Sequence, residues 1–115
     1  MNKCKYKIQE FLDELCIDLE EGKELYSSYN TEMNKLIGEM EKSIEDRDTG
    51  SLCRLLHTIK GVAANFYIMD IYEEAIKFES LLKDNANIDL ELYRDNLIQH
   101  IQEAEKEINN FFGDS

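Results

Sequence analysis

The sequence predicts an all-α protein, an antiparallel up-and-down four-helix bundle with an additional N-terminal helix. Three observations lead there. The 115 residues contain no proline and only five glycines, so little interrupts helix growth. Apolar residues recur at three- and four-residue steps in five separate segments. The breaks between those segments are short, which favours antiparallel neighbours. A chain of this length can bury roughly two thirds of its unfolded surface, enough for one core, and residues 1–115 are read as a single domain.

The first segment carries Ile8, Phe11, Leu12, Leu15 and Leu19, and Gly22 reads as its end. The second carries Leu25, Tyr29, Met33, Leu36, Met40 and Ile44. It stops near Asp48-Thr49-Gly50-Ser51, a cluster with turn and N-cap chemistry. The third runs from about Leu52 to Phe66. The fourth has Ile68, Ile71, Tyr72, Ala75, Phe78, Leu81 and Leu82. Asp84-Asn85-Ala86-Asn87 then reads as a loop, with a cap at Asn87 or Asp89. The last segment has Leu90, Tyr93, Leu97, Ile101, Ala104, Ile108 and Phe111.

Composition narrows the function. Apolar residues make up 43% of the chain, too many for a disordered acidic tail. The net charge of −12 argues against nucleic acid as a partner, because phosphate binding needs a basic footprint. It argues equally against an anionic membrane surface. No apolar run can span a bilayer and the N-terminus shows no signal-peptide core, so a cytoplasmic location is expected. Cys4, Cys16 and Cys53 are an odd number at wide spacing, which suits free thiols rather than a disulfide framework.

The third segment holds the chemistry. On a helical wheel of about 100° per residue with His57 at zero, Leu52, Leu55, Ile59, Val62 and Phe66 fall within about 40° of the opposite point. Leu56 and Ala63 flank that stripe. Cys53, Arg54, Lys60, Gly61 and Ala64 share the side of His57. The imidazole is therefore expected to face solvent. An accessible neutral imidazole is a nucleophile. Lys60, one turn on, can pair with a negative group placed on it. Gly61 costs roughly 1 kcal/mol against alanine inside a helix, a cost easier to accept where another molecule must approach closely. A surface histidine beside a lysine is common without any function, so the pair alone decides little.

The wording HTIKGVAAN, from His57 to Asn65, resembles the motif of the histidine-phosphotransfer (HPt) domain family: a histidine, a lysine three on, a glycine, then small residues. The register continues with Ile71, Ala75 and the pair Phe78-Glu79. The pattern HTIKG…AANF…FESLL looks most like the phosphotransfer domain of chemotaxis-type histidine kinases. The family usually has a glycine ten residues after the histidine, where one helix turns into the next. This chain has Tyr67 there, which bears on the hinge and the tilt of the following helix. Val62 replaces a frequent serine and is read as packing.

The resemblance implies a phosphohistidine carrier of a two-component phosphorelay. The His57 ring, through Nε2, would exchange a phosphoryl group with the aspartate of response-regulator receiver domains. Lys60 would steady the phosphoryl charge and Gly61 would give docking clearance. Arg54, Thr58, Ala64 and Asn65 would form the partner surface, joined by exposed apolar residues of the second helix such as Ile37. No cofactor of its own is implied, since Mg²⁺ would sit on the partner receiver. A hybrid histidine kinase is a further partner of the same kind. Thr58 stands where sensor-kinase dimerisation helices carry an acidic residue, so no ATP-dependent kinase activity is expected. A monomer suits a carrier that meets several partners.

Rival readings are weaker. Cys53 and His57 are an i, i+4 pair able to ligate a metal, but Cys4, Cys16 and His100 supply no matching second pair. His100, with Glu103 and Glu107 near, reads as solvated or ion-paired. A nucleophilic hydrolase lacks a base-orienting triad. A non-catalytic acidic helical adaptor, binding a partner through an amphipathic groove, is the main alternative.

Overall fold

A computed structural model describes residues 6–84 and 87–113; Cys4 and the Asn85-Ala86 part of the expected loop lie outside them. Five helices follow in order: α1 (Ile8–Leu15), α2 (Leu19–Glu45), α3 (Thr49–Asn65), α4 (Met69–Asp84) and α5 (Leu90–Phe111). No strand occurs among the described residues. Helices α2 to α5 pack in a ring, each against its neighbours in sequence and α5 back against α2. The result is a rod of 45 × 23 × 20 Å whose axis is filled by Met33, Met40, Leu52, Ile59, Phe78 and Leu97. The predicted four-helix bundle with an added N-terminal helix is what forms.

Three helices start on aspartates, each of which satisfies an orphan N–H of the first turn. Asp18 begins α2 with a reciprocal box: its carboxylate accepts from Glu21 N (2.8 Å), and Glu21 Oε1 accepts from Asp18 N (3.0 Å). Asp48 caps α3 through Ser51 N (3.1 Å) and Asp89 caps α5 through Leu92 N (3.0 Å). The start of α2 corrects the sequence reading. Leu19 belongs to α2, not to the first helix, and is 57% exposed.

Gly22 ends nothing. It lies inside α2 and is buried under α1, where an added Cβ would overlap Leu12 Cδ2. Here glycine serves close approach of two helices, not termination. Terminations fall instead on residues with side chains. Cys16, Arg47 and Tyr67 are left-handed (φ 56°, 56° and 59°) and close α1, α2 and α3. Each end bears the 6→1 hydrogen bond of a Schellman motif: Ile17 N to Leu12 O (3.1 Å), Asp48 N to Ser43 O (2.9 Å) and Ile68 N to Ala63 O (2.9 Å). The last of these resolves the departure at Tyr67. Tyr67 itself adopts a left-handed backbone, the conformation glycine takes most readily, and the chain turns there into α4.

Contacts to α1 offset the strain. The Tyr67 ring stands edge-on to Phe11 at 5.3 Å, and its hydroxyl donates to Glu14 (2.7 Å). Phe11 also meets Tyr26 and Phe66, so α1 closes one end of the bundle through a cluster of rings. A left-handed non-glycine residue costs about 1 kcal/mol. Tyr67→Ala keeps that cost and loses the ring, whereas Tyr67→Gly loses the ring and the cost together. Chemical denaturation should therefore rank wild type and Tyr67→Gly above Tyr67→Ala, with Gly about 1 kcal/mol above Ala. An Ala variant as stable as the Gly variant would contradict a left-handed Tyr67.

Candidate functional site

The site begins with how α3 is rolled. Its buried residues are Leu52, Leu56, Ile59 and Ala63, while Leu55, Val62 and Phe66 are only half-buried. The apolar face is thus turned from the expected stripe toward the two residues placed on its flank. The cause is the short Phe66–Ile68 connection, which draws α4 in closest among the neighbours of α3. Leu56 and Ala63 fill that contact. His57 remains outside it, with 72% of its side chain exposed, but stands nearer to α4 than a wheel centred on the opposite stripe suggests.

One carboxylate of α4 organises what surrounds the imidazole. Glu79 is 8% exposed, beside Phe78 of the core. Its Oε1 accepts a hydrogen bond from Lys60 Nζ at 3.2 Å. Its Oε2 lies 3.4 Å from Lys83 Nζ and 4.0 Å from His57 Nδ1. Burial by itself would raise the carboxyl pKa. The hydrogen bond and charge of Lys60, then those of Lys83, outweigh it and hold Glu79 below the usual carboxylate range. With Nδ1 facing Glu79, Nε2 is left on the open side of the ring. Two ammonium groups against one carboxylate leave the neighbourhood of His57 cationic, in a chain whose net charge is −12.

The structure brings together some of the expected residues and separates others. Lys60 is beside His57 but is held on Glu79, with only 25% of its side chain exposed. A Cβ built on Gly61 meets nothing within 4 Å, so the outer face is clear there. Arg54 and Thr58 turn to the other side and line a groove between α2 and α3 with Lys42, Asp46 and Asp48. Arg54 donates to Ser51 Oγ (3.0 Å), and Thr58 Oγ1 donates to Arg54 O (3.1 Å). Asn65 is exposed and Ala64 half-buried. Ile37, expected as exposed, is half-buried against the core; the open position beside it is Gly38.

Sequence reasoning used Glu79 only for register and passed over Lys83. A buried acid in an otherwise apolar stripe was the available signal, but its partners depend on the register of α4 against α3. His100 faces acids of another helix, not those of its own: Nδ1 lies 3.3 Å from Asp70 Oδ2 and Nε2 3.7 Å from Glu74 Oε1, both on α4. The Tyr6 hydroxyl donates to the same Asp70 oxygen at 2.9 Å. Cys53 is a half-buried free thiol. Among the described residues no three His, Cys, Asp or Glu side chains gather as metal ligands, and no helix is long and apolar enough to cross a membrane.

The arrangement is an exposed imidazole on one helix of a four-helix bundle, backed by a buried acid and two lysines. Among protein families, the model described as Hpt domain matches residues 24–110. The chain belongs to the Hpt domain family, and with it to the phosphotransfer proteins of two-component signalling, which work with response-regulator or kinase components. The searches of curated proteins and of solved structures returned no match.

Glu79 should leave a mark on acid stability. Its folded pKa is depressed, so its contribution is complete above its ordinary value of 4.5 and is lost as pH falls through the lower folded value. Glu79→Gln should remove that part of the acid-side decline and lower stability at pH 7, where Lys60 and Lys83 lose their counter-charge. Thermal melts of both proteins between pH 7 and about 2.5 read this out. Parallel curves would mean that Glu79 is not ionised and paired in the fold.

Proposed function

We propose that this chain is a phosphohistidine carrier of a two-component phosphorelay, exchanging a phosphoryl group between His57 and the aspartate of response-regulator receiver domains. The observation that carries the reading is the His57–Glu79 pair: a ring with 72% of its side chain exposed whose Nδ1 lies 4.0 Å from a buried carboxylate. In the forward step the Nε2 lone pair attacks phosphorus of an aspartyl phosphate. The P–O bond to the aspartyl group breaks, and the carboxylate leaves with the electron pair. The ring keeps its Nδ1 proton and becomes a phosphoimidazolium, whose positive charge faces Glu79. No base has to remove a proton, and the reverse step needs no acid.

Lys60 supplies positive charge one helical turn from the acceptor, and the bare surface at Gly61 admits a partner. Arg54, Thr58, Ala64 and Asn65 flank that approach as the partner surface. The receiver would bring Mg²⁺ and most of the stabilisation of the transferring phosphoryl group. The chain itself would need no cofactor and carry out no ATP-dependent reaction. It would act in the cytoplasm as a monomer.

The reading is tested by incubation with a phosphorylated receiver and Mg²⁺. Wild type should acquire an acid-labile, base-stable phosphate, and His57→Gln should acquire none. An acid-stable label, or unchanged labelling of His57→Gln, would refute it. An adaptor that binds through a groove would instead keep its partner in the His57→Gln variant.

A further inference from the structure

We propose that Lys83 is a second phosphoryl-binding group, parked on Glu79 while His57 is unmodified and released to the phosphoryl group once Nε2 carries it. The inference rests on the phosphocarrier reading and deepens it. Its basis is the way three nitrogens share one carboxylate. Lys60 takes Oε1 alone. Lys83 Nζ and His57 Nδ1 converge on the other oxygen, Oε2, at 3.4 and 4.0 Å.

The two lysines are not equivalent. Lys60 is largely covered, at 25% side-chain exposure, and donates a hydrogen bond, so it is pinned. Lys83 is 62% exposed on a four-carbon stem that can swing through several Å. Transfer of a phosphoryl group to Nε2 leaves the proton on Nδ1 and makes the ring cationic. Ring N–H and Lys83 ammonium then compete for Oε2. Both groups hang from helices, but the ring turns on only two torsions while the lysine swings on four, so the lysine is the one displaced. A new dianion on the far side of the same ring gives it a destination. Glu79 thus passes one cation on while keeping the other. No bond to Lys83 forms or breaks; the change is in ion pairing alone.

A cation beside a phosphoryl group favours its dianion and lowers its second ionisation. The protein is loaded with phosphoramidate, which needs no receiver, and the phosphohistidine resonance is followed by ³¹P NMR against pH. The His57→Gln variant identifies the resonance by its loss. Lys83→Met should raise the titration midpoint by about half a pH unit, roughly a threefold change in proton affinity. Lys83→Arg should stay near wild type. Lys106→Met, which removes an exposed charge on α5, should leave the midpoint unchanged. The difference should shrink in 1 M salt.

A midpoint in Lys83→Met equal to wild type overturns the proposal. So does an equal rise in Lys106→Met, or a resonance that survives in His57→Gln. Exchange with receivers is measured separately. If wild type loads chemically and shows the shift but exchanges with no receiver, the carrier reading fails. If it exchanges and the midpoint does not move, only the role of Lys83 fails.

Discussion

The left-handed backbone of Tyr67 folds α4 back along α3, and the site depends on that reversal. Ile68 N bonds to Ala63 O across the turn, and Leu56 and Ala63 then pack directly against α4. This contact sets the roll of α3, and the roll places His57 at the edge of the α3–α4 interface with its ring in solvent. The same contact fixes the height of Glu79 against His57 and Lys60. A hinge residue with a side chain is tolerated because α1 receives it: Phe11 meets the ring edge-on and Glu14 accepts from the hydroxyl. The N-terminal helix thus supports the geometry of a site it does not touch.

Glu79 is the costly element of the arrangement. A carboxylate at 8% exposure gives up most of its hydration, and an unpaired one would be neutral or destabilising. Two lysines recover that loss and keep it ionised. What the bundle gains is a fixed set of charges beside the imidazole. Glu79 Oε2 lies 4.0 Å from His57 Nδ1. The lysines set charge of the opposite sign around that carboxylate. In a chain so acidic, this local excess of cations also marks one face for anionic chemistry.

The surface around His57 is two-sided. Toward α4 lie Lys60, Glu79 and Lys83. Toward α2 lie Arg54 and Thr58, which line a polar groove with Lys42, Asp46 and Asp48. Gly61 and Gly38 leave open positions between and beside them. The side nearest α4 is cationic and holds the buried acid, and the side nearest α2 is a polar groove of mixed charge.

The five helices, the outward histidine and its lysine-glycine company were legible in the sequence because they are local. A period of 3.6 residues fixes which side chains share a helix face, whatever the helix packs against. Aspartate caps were legible for the same reason, at Asp48 and Asp89. The helix ends at Cys16, Arg47 and Tyr67 were not, since nothing in their residue types announces a left-handed backbone. Gly22 misled for the converse reason: its small size answers to Leu12 of another helix, not to its own. The roll of α3, the Glu79 contacts to Lys60 and His57, and the pairing of His100 with Asp70 and Glu74 all join residues on different helices. Only the register between packed helices decides such contacts, and that register is set by side-chain volume across the core, which no single helix contains.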